Sequence, residues 1–321
     1  MQTILLYFLI LAISVLGLWF SGDYAVKYSL QIAKIFKLSP LLVGFLLIAL
    51  STGIPELAVT FIALHQKVPM IALGDLIGSC IVDIALALGL ACLIHGSFKL
   101  NLEQSWHASF MLLVIFVMSG ISFVVEDLHW SYGIFLIMSY GFCVWWMVVS
   151  STAQVKREAK KREDEAEINL NRKSLVVLKL GLSMVFLLVS ADFAIRYSVK
   201  IAELLKLPAA IVGATFFSIG TSVPEVVLSI SSVRRKQYAL AVGTCIGSVL
   251  EIITFNLGIL VLFSSVTLNI MPLLSVLPYL MIIYAVLIFS LLYRRKLGRV
   301  EGAIMLIVFL VYLAYEIWWQ K

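Results

Sequence analysis

Charge is what this sequence has least of. Asp, Glu, Lys and Arg make up 13% of the 321 residues and hydrophobic residues 62%, with a mean hydropathy of +1.06. Soluble domains carry about a quarter charged residues, so a soluble fold is excluded and the chain reads as a polytopic membrane protein. Cysteine is scarce too. Cys80, Cys92, Cys143 and Cys245 form no Cys-x-x-Cys and have no His at metal spacing, which leaves them as reduced, small apolar fillers. The four histidines, His65, His95, His107 and His129, fall near the ends of apolar segments. Neither His-Glu-x-x-His nor Gly-x-Ser-x-Gly occurs, so no enzyme is expected. Low-complexity tracts are absent, and the hydrophilic residues are too few for a separate regulatory domain.

What remains is apolar length. A membrane span needs about 20 apolar residues, and ten such segments are predicted, at 3–21, 40–64, 69–94, 107–125, 131–150, 174–194, 208–232, 238–263, 269–293 and 300–318. The Met1-Gln-Thr start has no basic n-region, so the first span is expected to be retained. Trp106, Trp130, Trp145, Trp146, Trp318 and Trp319 lie near segment ends, as an aromatic belt does.

Basic residues set the orientation. With both termini outside, the inner side receives Lys27, Lys34, Lys37, Lys99, the cluster from Lys156 to Lys173, Arg234-Arg235-Lys236 and Arg294-Arg295-Lys296 with Arg299. The outer side keeps Lys67, Arg196, Lys200, Lys206 and Lys321. The division is therefore 1–150, a cytoplasmic charged linker at 151–173, and 174–321. The pI near 9.1 comes from these inner loops, which implies contact with membrane lipid rather than nucleic acid. The expected location is the plasma (inner) membrane.

The second half echoes the first at a fixed offset. Ala49-Leu-Ser51-Thr52-Gly53-Ile-Pro55-Glu56 returns as Ser218-Ile-Gly220-Thr221-Ser222-Val-Pro224-Glu225, which is 225 − 56 = 169 residues on. Asp23 maps without a gap to Asp192, Tyr28 to Tyr197, Val43-Gly44 to Val212-Gly213, Gly78-Ser79 to Gly247-Ser248, and Leu88-Gly89 to Leu257-Gly258. Five spans per half turn the second half upside down, which is the inverted-repeat pattern of transporters. The fold class is thus an all-α membrane protein with two inverted five-helix repeats and helices broken at the midplane.

Acids inside spans mark function, because burying a charge in lipid is costly. Glu56 and Glu225 each follow a proline, which breaks the helix and frees a carbonyl. Carboxylates, hydroxyls and carbonyls make an oxygen-only environment suited to hard cations. Inverted halves bring the two glutamates together near the midplane, where they need a cation or a proton. Thr52 and Glu56 are four apart, as are Thr221 and Glu225, so each pair can share a helix face. Asp83, four residues beyond Ser79, lines the same site. Lys179 is the lone basic residue within a predicted span and cannot neutralise both glutamates.

These motifs resemble the two α-repeats of the cation/calcium exchanger superfamily, sodium/calcium exchangers among them. Those repeats read roughly Gly-Thr-Ser-Leu-Pro-Glu and Gly-Asn-x-x-Gly-Ser-Asn-x-x-Asn/Asp. The resemblance covers nearly the whole chain. It implies a secondary antiporter exchanging Ca²⁺ for Na⁺ by alternating access. It also implies ligands at Ala49, Thr52, Glu56, Ser79 and Asp83 and at Ser218, Thr221, Ser222, Glu225 and Ser248. Ca²⁺ and Na⁺ or H⁺ would be substrates, no cofactor is needed, and a monomer suffices.

The departures from that pattern leave the driving ion open. Gly53 lacks the hydroxyl that Ser222 has, Cys80 and Val249 replace an Asn, and Asp75 stands where Asn is frequent, with Thr244 at its echo. Ile252 occupies the place equivalent to Asp83, and Glu251 precedes it. Glu251 lies about 60° from Ser248 round an α-helix. It either reaches the site or makes a helix contact with Asn256, Thr254 or Lys179. Proton-coupled or K⁺-dependent exchange of Ca²⁺ or another divalent cation is the alternative to Na⁺.

Overall fold

The computed structural model describes residues 2–36, 38–65, 67, 69–124, 127–159, 170–204, 218–264, 268–269 and 276–319. Among them, eight helices are long and apolar enough to cross a membrane, and they fall on eight of the ten predicted segments. The segment expected at 208–232 begins outside the described residues and is seen as Ser218–Thr221 and Val223–Arg234. The segment expected at 300–318 is the helix Arg299–Trp319.

In chain order the first half holds α1 (Gln2–Ile35), α2 (40–52), α3 (Ile54–His65), α4 (69–95), α5 (Leu102–Val124) and α6 (Trp130–Ala159). The second half holds α7 (Leu170–Leu204), α8 (Ser218–Thr221), α9 (Val223–Arg234), α10 (238–263), α11 (277–294) and α12 (Arg299–Trp319). Four of these widen into π-helix part-way: α2 over Val43–Ile48, α4 over Val82–Leu88, α10 over Glu251–Asn256 and α11 over Ser290–Arg294. Such widenings often sit at functional sites. The linker expected at 151–173 is partly helical: α6 runs through its first nine residues and α7 starts before its end, while 160–169 lie outside the described residues.

The first predicted span, 3–21, is too short. Neither Gly nor Pro occurs between 23 and 36, so nothing stops the helix, and α1 continues to Ile35 over 34 residues. At 1.5 Å per residue it is about 51 Å long, well beyond the roughly 30 Å of bilayer hydrocarbon. Lys27 and Lys34, expected in an inner loop, therefore stand on helix. The span predicted at 174–194 extends in the same way to become α7. α1 and α7 lie against each other along their length, with large apolar side chains such as Phe20 and Phe186 on the outside.

The centre belongs to α4 and α10, whose spans are 78% and 83% buried against 22% for those of α1 and α6. α2 crosses α10 at backbone contact: a Cβ on Gly243 or Gly247 would lie 2.3 Å from the carbonyl oxygen of Leu41 or Phe45.

Two further sets of contacts display the duplication. Gly133 of α6 meets Gly258 of α10, a Cβ on Gly133 falling 2.7 Å from the Gly258 carbonyl. Adding 169 to 133 gives 302, and subtracting it from 258 gives 89. A Cβ on Gly302 would fall 2.8 Å from the Gly89 carbonyl, where α12 meets α4. The strands behave alike. β1 (Phe98–Lys99) pairs antiparallel with β4 (Lys296–Leu297), and β2 (Asp127–Leu128) with β3 (Leu268–Asn269). Shifting β2 by 169 lands on β4, and shifting β1 lands within one residue of β3. Each strap thus joins one half to the other, and the two straps are images of each other, as an approximate two-fold axis requires.

Candidate cation site

Both acidic motifs sit at a helix break. α2 stops at Gly53 (φ −75°, ψ −1°) and the second half stops at Ser222 (φ −87°, ψ 2°), two positions 169 apart. Pro55 has no N–H for the Ser51 carbonyl, and Pro224 has none for that of Gly220. The expected carbonyl ligand Ala49 is partly engaged, accepting from the Gly53 N–H at 2.9 Å. Thr52 Oγ1 lies 3.2 Å from the same carbonyl and 3.1 Å from that of Ile48.

Five acids are buried in this region: Glu56, Asp75, Asp83, Glu225 and Glu251. Both oxygens of Glu56, Asp75, Glu225 and Glu251, and Oδ1 of Asp83, have no hydrogen-bond partner. Ion pairs among the described residues go elsewhere, to Asp192, Asp23 and Glu301. Glu56 is close enough to feel the charges of Glu225, Asp83 and Asp75. Glu225 feels those of Asp83 and Glu251. The two halves therefore bring their acids into one dehydrated region. A bare carboxylate there costs several kcal/mol or more, so cations or protons must balance the cluster.

Hydroxyls stitch it together across the halves. Ser248 Oγ donates to Asp83 Oδ2 at 2.6 Å, and Ser222 lies beside the same carboxylate. Ser79 Oγ and Thr221 Oγ1 are 3.3 Å apart. Thr52 lies beside the Glu225 carboxylate. Thr52, expected to share a helix face with Glu56, thus also approaches the acid of the other half. Among the described residues no three His, Cys, Asp or Glu side chains are gathered tightly enough to hold a metal by themselves. Any ion would use hydroxyl and carbonyl oxygens as well.

Glu56, Glu225, Asp83, Thr52, Thr221, Ser222, Ser79, Ser248, Ala49 and Glu251 are all buried in this region. Ser218 opens α8, and its side chain lies outside the described residues. The helix-contact alternative for Glu251 fails on each partner. Thr254 donates to its own turn's Leu250 carbonyl, the Asn256 amide is unpartnered, and the Lys179 ammonium lies 5.8 Å over the Tyr28 ring. Asp75, an acid inside a span that sequence reasoning did not name as a ligand, lies close enough for its charge to bear on Glu56.

A family described as sodium/calcium exchanger protein matches the chain twice, over residues 6–149 and 175–318. The chain belongs to that family. Its two matches are displaced by 175 − 6 = 169 and 318 − 149 = 169 residues, the register of the internal echo. This family member is 28% identical over 318 residues to the inner membrane protein YrbG of Escherichia coli, covering 96% of each chain. It is 25% identical over 348 residues to the sodium/calcium exchanger MaX1 of Methanosarcina acetivorans, covering 95% of this chain and 97% of that one. The structure of the sodium-calcium exchanger NCX_Mj soaked with 10 mM Na⁺ and zero Ca²⁺ superimposes with a TM-score of 0.84 at 24% identity, covering 97% and 99% of the two chains. That likeness shows the fold: an all-α, multi-pass membrane protein of the inverted-repeat exchanger type.

Proposed function

We propose that this protein is a secondary antiporter that moves Ca²⁺ against Na⁺ across a membrane by alternating access. One observation carries the reading: Glu56 and Glu225, from broken helices in opposite halves, share a buried region with Asp83 and no basic partner. Ca²⁺ or several Na⁺ ions would neutralise the same acids in competition, drawing neutral oxygens from Thr52, Ser79, Thr221, Ser222, Ser248 and the freed carbonyls. Occupancy would then decide when the outer pair α1–α7 shifts against the packed centre. Kinship with a sodium/calcium exchanger supports Na⁺ as driver.

A proton-driven or K⁺-dependent antiporter of the same fold is the second reading. Gly53 and Ile252 favour it, since each withholds an oxygen that Na⁺ would use. In either case the halves 1–150 and 174–321 act as the two repeats, both termini face outward, and the 151–173 linker lies in the cytoplasm. The membrane is the plasma (inner) membrane, a monomer suffices, and no cofactor takes part. Radioactive Ca²⁺ uptake into proteoliposomes, under imposed Na⁺, K⁺ and pH gradients in turn, tests this. Uptake driven by outward Na⁺ alone supports the first reading, uptake driven by a pH step without Na⁺ selects the second, and no gradient-driven uptake rejects both.

A further inference from the structure

We propose that Glu251, seated against Gly53, makes a second acidic subsite for a hard cation, at the corner of the cavity that mirrors Asp83 and Ser222. A Cβ at position 53 would fall 2.5 Å from Glu251 Oε1, 2.8 Å from its Cδ and 2.9 Å from its Oε2. The Glu251 carboxylate therefore occupies the space a side chain at 53 would need. At the mirror corner the echo of Gly53 is Ser222, which lies beside Asp83, and the echo of Asp83 is Ile252. One corner uses a serine and a short acid. The other uses no side chain at 53 and an acid one methylene longer, placed one residue earlier.

A glutamate at 251 would point away from an ordinary helix position equivalent to 252. The stretch Glu251–Asn256 is π-helical, as Val82–Leu88 is at the mirror corner, so the backbones are alike. The carboxylate reaches Gly53 because glutamate is long and no side chain at 53 blocks it. Glu251 is 1% exposed and both its oxygens lack protein partners, which in a packed membrane core suits a carboxylate that binds a cation. Asn256, one π-turn on, is also fully buried with its amide unpartnered, and supplies a neutral oxygen on the same stretch. The exchange keeps one charge and loses one hydroxyl. It gives the second half the acid that Ile252 removed.

Only the identity of the cargo rests on the antiporter reading, so binding is measured apart from flux. The purified full-length protein is titrated with Ca²⁺ and with Na⁺, read by equilibrium binding and by cation-induced thermal stabilisation. Glu251→Gln keeps the shape and removes the charge. Gly53→Ser forces the carboxylate out. Each should weaken Ca²⁺ binding on the order of tenfold or more, the scale on which charge count tunes oxygen sites. The double variant should lose little beyond either single one, since both act at one corner. Gly53→Ser/Glu251→Val/Ile252→Asp, which copies the mirror corner of Ser222, Val82 and Asp83, should recover most of the affinity. Should Glu251→Gln fail to purify, Glu251→Asp serves, its shorter reach giving a smaller loss. Wild-type affinity in Glu251→Gln, or full additivity with Gly53→Ser, overturns the subsite and leaves the antiporter reading intact. Binding without gradient-driven uptake removes the antiporter alone, and a wild-type protein that no cation stabilises removes both.

Discussion

At one corner of the cavity Asp83 receives the Ser248 hydroxyl at 2.6 Å and has Ser222 at its side. At the mirror corner a glycine at 53 faces the longer acid Glu251. The backbones there are near copies, each with a helix break at 53 or 222 and a π-helical stretch opening at 82 or 251, yet the side chains have been exchanged. Duplication preserved where oxygen is needed and left open which residue delivers it. Gly53 and Glu251 look like separate departures in the sequence, and they become one feature only when the carboxylate is seen in the space the glycine leaves.

The hardest test of equivalence is at the centre. Glu56→Gln and Glu225→Gln should each cut Ca²⁺ flux on the order of 100-fold or more, since removing one charge from a buried, mutually dependent set costs about 3–5 kcal/mol. Equal losses in proteoliposome flux show a site shared evenly by the halves. A severe loss from one and a mild loss from the other would break the symmetry and locate the ion nearer one motif. A step lower, Asp83→Asn should weaken Ca²⁺ on the order of tenfold through lost charge. Ser248→Ala leaves that charge and removes only a hydrogen bond to it, so its effect on Ca²⁺ should be the smaller. The concentration of Ca²⁺ giving half-maximal flux orders the two, and a larger effect from Ser248→Ala would mean that the hydroxyl contributes more to ion binding than the Asp83 charge.

Much of this was legible beforehand. Acids among apolar residues, Pro before each Glu, and the 169-residue register together gave the repeats, the breaks and most of the cluster. The extents of α1 and α7 were not legible, because apolar content marks where lipid is and says nothing of a helix that continues past it. Nor was the approach of Thr52 to Glu225, since spacing along one helix says nothing of what the other half brings to it. Asp75 carries the same signal as Asp83, an acid where acids are expensive, but the family pattern, in which Asn is frequent at that place, masks it. The place of Glu251 depended on its meeting Gly53 across the halves, which periodicity along one helix does not announce.

Packing offers a milder comparison. Gly133 against Gly258 and Gly302 against Gly89 are the same contact repeated, each with a carbonyl less than 3 Å from where a Cβ would go. Gly133→Ala and Gly302→Ala should each destabilise the protein by about 1–3 kcal/mol, the usual cost of forcing a methyl group into a filled interior. Similar falls in the thermal midpoint of detergent-purified protein would show that the two images bear equal load. A drop from only one would mean that the halves share a shape without sharing its energetics.

The smallest expected effect separates the halves most cleanly. Asp23 and its echo Asp192 occupy matching places on α1 and α7, but their partners differ. Asp23 reaches across the halves to Arg235, 3.1 Å away, with Arg234 at 3.9 Å, while Asp192 binds Arg196 on its own helix at 2.8 Å. The first pair ties the outer helix α1 to α9, which carries Glu225. The second holds α7 to nothing but itself. Partly exposed ion pairs are worth up to about 1 kcal/mol, so Asp23→Asn should lower stability by no more than that, and Asp192→Asn should leave it unchanged. If α1 shifts against the centre during transport, the Asp23 tie must break in one of the two end states. Asp23→Asn should then change the rate of Ca²⁺ exchange severalfold at unchanged binding affinity, whereas Asp192→Asn should alter neither. Identical exchange rates in the two variants would show that α1 does not move relative to α9.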